Sequence, residues 1–150
     1  MQRETVGRPM EVLLVEDSLM AARLTIGALK QGRIEHRMTW LTSGEEARQF
    51  LHREGKFVRA PQPDLVLLDL MLPGISGQDL LSDIRKDEEL KDIPVVIMTG
   101  TAEENVEESC RNLRVQGFLT KPINLDEFLD LVAQLKDYWK ADMILPTARA

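Results

Sequence analysis

The sequence predicts an α/β domain in which one parallel sheet carries helices on both faces. Two observations support this. Apolar runs of four or five residues, such as Val12-Leu13-Leu14-Val15 and Leu65-Val66-Leu67-Leu68, recur along the chain, and each is followed by a longer stretch of helical period. The 150 residues are 43% apolar and 29% charged, enough for a single sizeable core and no more than one domain. No apolar run approaches the roughly 18 residues that a membrane span requires.

Five strand and helix pairs are expected. Glu11 to Val15 reads as strand one and Leu19 to Lys30 as the helix behind it, with Ala22, Ile26 and Leu29 spaced to face a core. Arg37 to Leu41 reads as strand two, with Met38 and Trp40 alternating inward. Ser43-Gly44-Glu45-Glu46 has the form of a capping box, in which the serine accepts from a backbone N–H and the glutamate reaches back. It opens a helix that buries Ala47, Phe50 and Leu51 and ends by about Glu54. Leu65 to Asp69 is strand three, and Ser76 caps a third helix with Leu80, Leu81 and Ile84 inward. Val95 to Thr99 is strand four. Thr101-Ala102-Glu103-Glu104 is a second capping box, before a helix holding Val106, Cys110 and Leu113. Gly117 to Thr120 is a short fifth strand, and Asn124 caps a last helix with the stripe Phe128, Leu131, Val132 and Leu135.

Composition excludes several classes. A net charge of −6 and a pI near 5.0 disfavour nucleic acid as a direct ligand, because phosphate backbones demand clustered Lys and Arg. Arg111 and Arg114 read as part of a solvated helix face. The polar start, residues 1–9, reads as a flexible N-terminus without an apolar signal segment, so a cytoplasmic location and no membrane contact are expected. Cys110 is the one cysteine, so no internal disulfide can form, and helix packing is its expected role.

The domain is expected over residues 10–136. Arg53 to Pro63, with Gly55, Pro61 and Pro63, reads as a long surface loop. Residues 137–150 form a tail that brings Tyr138, Trp139, Met143, Ile144 and Leu145. These either pack back on the domain or make a dimer or partner surface. The tail is too short to be an output domain.

In an open parallel sheet, ligands collect at the carboxyl ends of the strands where the strand order reverses. Those ends read Glu16-Asp17, Asp69, Thr99-Gly100 and Lys121-Pro122. Carboxylates at about 4 Å repel by roughly 4 kcal/mol per pair at an effective dielectric near 20, a cost that a divalent cation relieves. Mg²⁺ suits the set, since it takes oxygen ligands and is commonly held by one or two carboxylates plus phosphate. Glu16, Asp17 and Asp69 with the backbone carbonyl of Met71 would supply the site. Neither His36 nor His52 has a ligand-like spacing, and both read as surface or packing residues. Asp69 could then act as a nucleophile toward a phosphoryl group. Thr99 could donate to one phosphoryl oxygen and Lys121 to another, while Gly100 leaves room and Pro122 stiffens the turn.

Taken together, Glu16-Asp17, Asp69 with Leu72-Pro73-Gly74, Thr99-Gly100 and Lys121-Pro122 resemble the receiver domains of two-component response regulators, over about Met10 to Lys136. The resemblance implies a flavodoxin-like (βα)5 doubly wound sheet of order 2-1-3-4-5. It implies that Asp69 is the phosphoacceptor, that Glu16 and Asp17 are Mg²⁺ acids, that Thr99 is the switch hydroxyl and that Lys121 senses the phosphate. Phe118, three residues before the lysine, matches the switch aromatic, which here would signal through packing alone. The partners implied are a sensor histidine kinase and, through the fourth helix, fifth strand, fifth helix and tail, a second copy of the chain. The protein would be a stand-alone regulator in a phosphorelay, catalysing only its own phosphorylation and dephosphorylation. The stretch Ala60-Pro61-Gln62-Pro63-Asp64 and the tail further resemble single-domain regulators paired with phytochrome-type kinases.

Met71 departs from the polar residue that many receivers place two positions after the acceptor. A thioether is a weak acceptor, so slow autodephosphorylation is expected. The same position argues against a hydrolase of the haloacid-dehalogenase kind, which needs a second Asp there. Glu16-Asp17 would repel the phosphate of a flavin mononucleotide. A phosphorylation-independent interaction module would gain stability by losing these charges.

Overall fold

A computed structural model describes residues 8–31, 35–100, 110–121 and 123–135. Five parallel strands lie in the order β2-β1-β3-β4-β5: β1 Met10–Val15, β2 His36–Leu41, β3 Leu65–Asp69, β4 Val95–Thr99 and β5 Gly117–Thr120. Four α-helices are described, α1 Leu19–Gln31, α2 Gly44–Leu51, α3 Gly77–Lys86 and α4 Leu125–Gln134. This is the expected flavodoxin-like doubly wound fold of order 2-1-3-4-5.

Period-2 alternation in the strands divides the core between the two faces of the sheet. Leu13, Val15, Val66 and Leu68 join Ala47, Phe50, Leu80 and Ile84 from α2 and α3 on one face. Val12, Leu14, Leu65 and Leu67 join Ala22, Leu29, Phe128 and Val132 from α1 and α4 on the other. The chain leaves β1 toward β2 and returns past it to β3, which creates the strand-order reversal where ligands collect.

Local caps form largely as read. Ser43, Ser76 and Asn124 accept from the backbone N–H of Glu46, Asp79 and Glu127 at 3.2, 3.0 and 3.0 Å. The return half of the first capping box does not form. The Glu46 carboxylate instead accepts from Thr42 Oγ1 and Lys56 Nζ, both at 3.4 Å, because a cation outcompetes a neutral N–H. Helix α2 ends at Leu51 rather than near Glu54, since Arg53 turns left-handed at φ 57°. His52, expected to be an ordinary surface or packing residue, ties α2 to α3 through Asp83 at 2.9 Å and Asp87 at 3.5 Å.

The Arg53–Pro63 stretch is packed as well as exposed. It contains a 3-10 turn, Gly55–Phe57, whose Phe57 ring meets Phe50 edge-on at 5.4 Å, and Pro63 is buried. Arg8 lies in the segment expected to be flexible, and its guanidinium grips Asp64 at 2.7 and 2.9 Å. Val106, the Thr101 capping box, Pro122 and the 137–150 tail lie outside the described residues. Cys110 is buried in the core, but Leu113 sits in a 3-10 turn, Arg111–Leu113, that Arg114 ends at φ 55°. Arg85 on α3 holds this end of the sheet, donating to the carbonyls of Leu113, Arg114, Lys91 and Ile93 and to Gln116 Oε1 at 2.7–2.9 Å.

Candidate functional site

Strand register places the site. Val15 pairs with Leu68, so Glu16, one residue beyond, emerges beside Asp69; Asp69 in turn pairs with Met98, one residue short of Thr99. Thr99 pairs with Thr120, so Lys121 follows at the same rim, and its N–H donates to the Thr99 carbonyl at 2.7 Å. Parallel strands ending in step therefore deliver side chains from four segments to one edge.

The carboxylates of Glu16, Asp17 and Asp69 offer oxygens within 4.8 Å of one another. Glu16 and Asp69 are buried, at 0% and 3% exposure, while Asp17 faces solvent. Lys121 Nζ donates to Glu16 Oε1 at 2.8 Å and to Asp69 Oδ2 at 3.2 Å. The other Asp69 oxygen, Oδ1, accepts from the Met71 N–H at 2.9 Å, and Glu16 Oε2 accepts from the Ser18 N–H at 3.1 Å. Burial pushes the Glu16 carboxyl above its ordinary value. Lys121 and the Ser18 N–H oppose that rise, and the negative charge of Asp69 adds to it. Burial alone would lower the Lys121 ammonium, but its hydrogen bond to Glu16 and the charges of Asp69 and Glu16 outweigh it and hold lysine above its ordinary value.

Three carboxylates against one ammonium leave an excess of two negative charges. The donors are all oxygen, so the set fits a hard divalent cation. Met71 contributes its backbone, with its side chain 76% exposed. Gly100 has open space beside it, since an added Cβ would meet nothing within 4 Å. Phe118 is not at the rim. It pairs with Ile97, two residues below Thr99, and lies half-buried against the α2–α3 side of the core.

Two contributors have no signal in the sequence motifs. Trp40, legible only as an inward strand residue, donates its indole N–H to the Glu16 carbonyl at 2.7 Å and so fixes the turn that carries two of the acids. Glu45, read as part of a cap, accepts from the Ile75 N–H in the loop after β3 at 3.1 Å. Among the described residues, no helix is long and apolar enough to cross a membrane.

The sequence matches the family described as the response regulator receiver domain over residues 12–133. It is 36% identical over 140 residues to the response regulator Rcp1 of Synechocystis sp., covering 93% of this chain and 95% of that protein. The fold is similar to the crystal structure of the Mn²⁺-bound form of Rcp1, with a TM-score of 0.73 over 93% of this chain and 100% of that one. It is likewise similar to the phosphorylated cyanobacterial phytochrome response regulator RcpA, at 33% identity and a TM-score of 0.73 over 93% and 99% of the two chains. The bacteriophytochrome response regulator RtBRR gives 30% identity and a TM-score of 0.79 over 93% and 84%.

Proposed function

The chain belongs to the response regulator receiver family, and on that premise we propose that it accepts a phosphoryl group from a sensor histidine kinase onto Asp69 and signals by a change of shape. The observation that carries this reading is the double hydrogen bond of Lys121, which ties Glu16 to Asp69 inside a cluster of three acids.

Glu16, Asp17 and Asp69, with the Met71 carbonyl, would hold Mg²⁺, and the Mn²⁺ named for Rcp1 supports a divalent ion at such a site. When bound, the ion neutralises the acids and draws charge from the phosphoryl oxygens. The residues of the chain do the rest. Met71 N–H fixes one oxygen of Asp69, leaving the carboxylate aimed at the rim. An Asp69 oxygen attacks phosphorus, the bond from phosphorus to the donor histidine nitrogen breaks, and that nitrogen keeps the electron pair. Lys121 shifts its weaker bond from Asp69 to a phosphoryl oxygen, and Thr99 donates its hydroxyl to another. Movement of Thr99 frees space over β5, and Phe118 follows by repacking. The equilibrium between two surface shapes then moves.

In this reading the chain is no enzyme toward other substrates, and it works in the cytoplasm as one receiver unit over residues 10–136 followed by a tail. Likeness to RcpA and RtBRR supports a phytochrome-type kinase as the donor. A docking partner would meet apolar surface beside the acids, because Leu19, Met20 and Leu24 are exposed on α1 just after Asp17. The expected helix after Thr101, β5, α4 and residues 137–150 are the region proposed for a dimer. Incubation with Mg²⁺ and acetyl phosphate, read by intact mass, tests the assignment. One added phosphoryl group is expected in the parent and none in Asp69→Asn; a gain that survives the substitution would overturn it.

A further inference from the structure

The loop between β3 and α3 carries Met71, and it is pinned at both ends. At one end Met71 N–H donates to Asp69 Oδ1 at 2.9 Å, and Gly77 N–H closes the loop onto the Leu70 carbonyl at 3.3 Å. At the other, Ile75 N–H donates to Glu45 Oε2 at 3.1 Å, although Glu45 belongs to the first turn of α2, thirty residues earlier. The surrounding backbone is shaped for that contact. A Cβ on Gly44 would stand 2.6 Å from the Ile75 carbonyl oxygen. Gly74, at φ 70°, has the Glu45 carboxylate where a side chain would go. Helix α2 therefore rests directly on the loop, and the Glu45 side-chain oxygen secures it as acceptor.

We infer that Glu45 is a positioning residue for the phosphoacceptor site: by holding Ile75 it fixes the loop after β3, and through the loop the Met71 backbone that orients Asp69 beside the other acids. The inference rests on the reading of Asp69, Glu16 and Asp17 as the metal and phosphoryl site. Glu45 touches neither group and acts only through backbone. Its contribution is thus the hydrogen bond and not its charge, which distinguishes it from the acids at the strand ends.

The test compares the parent, Glu45→Ala and Glu45→Gln in the full chain by backbone amide NMR, with Mg²⁺ titration and hydrogen exchange read on the same samples. Loss of the acceptor is expected to weaken Mg²⁺ about tenfold, the lower end for groups that orient a ligand without touching the ion. It should also speed exchange at both the Ile75 and Met71 amides, while the amides of β1, β4 and β5 keep their parent shifts. Gln, which retains an acceptor oxygen, should restore both readouts. Parent-like Mg²⁺ binding and Met71 exchange in Glu45→Ala would overturn the inference, and so would Gln behaving like Ala. Should the parent amides near Asp17 and Asp69 not respond to Mg²⁺, the metal-site reading fails; exchange at Met71 still decides whether Glu45 controls the loop.

Discussion

Lys121 holds Glu16 more closely than Asp69: its Nζ lies 2.8 Å from Glu16 Oε1 and 3.2 Å from Asp69 Oδ2. The ammonium leans on the carboxylate that stays and keeps the longer bond to the one proposed to react. Transfer of that longer bond to a phosphoryl oxygen would cost little, because the Glu16 contact keeps Lys121 at the rim throughout.

Removing the ammonium should leave Glu16 buried with too little counter-charge. Lys121→Met is expected to lose about 2 kcal/mol of stability in the metal-free protein at neutral pH. The loss should shrink at acid pH, as the raised Glu16 carboxyl takes up a proton. Urea unfolding in chelator at the two pH values checks both parts.

Glu16 titrates above its ordinary value of 4.5 in the folded protein, so the folded state binds more protons than the unfolded one over that interval. Stability from this group therefore falls as pH rises from near 4.5 through the raised folded value. A cation at the acids competes with that proton. Mg²⁺ is expected to raise the Tm more at pH 7.5 than at pH 5, and chelator should abolish the difference. Lys121, held above 10.5, contributes stability that is fully present below that value and lost only as pH rises through its folded one.

Met71 presents its side chain to solvent while its N–H holds Asp69. Met71→Asn should leave that backbone bond intact and supply a polar group able to orient water. The phosphate on Asp69 is expected to turn over about tenfold faster, a modest share of what a positioned proton acceptor can give. Decay of the phosphorylated mass with time reads it. An unchanged lifetime would remove Met71 as the cause of slow hydrolysis.

Met20 is 73% exposed on α1. Met20→Asp should slow transfer from the kinase by placing charge in an apolar docking surface, yet leave phosphorylation by acetyl phosphate at the parent rate. Equal slowing with both donors would place the defect in the site itself.

The strands and caps were legible because their signals are local. The runs ending in Asp69, Thr99 and Thr120 give β3, β4 and β5 at the expected bounds, and Ser43, Ser76 and Asn124 cap the helices that follow. The four strand ends likewise announce the acids and Lys121, since parallel strands bring their ends to one edge. What escaped the sequence is polar and long-range. Trp40 reaches from β2 to Glu16 at the end of β1, Glu45 reaches Ile75, and Arg85 reaches Leu113 and Gln116. Each looks like an ordinary strand or surface residue until the fold supplies its partner. Glu46 failed as a cap for the same reason, drawn off by Lys56, which the next turn brings close.

Borohydride reduction of the phosphorylated protein, followed by peptide mass mapping, tests the central claim most directly, because it converts an aspartyl phosphate to homoserine at the modified position. Homoserine at position 69, dependent on Mg²⁺, is the expected result. Homoserine at Asp17 or Asp64 with residue 69 unchanged would contradict the account.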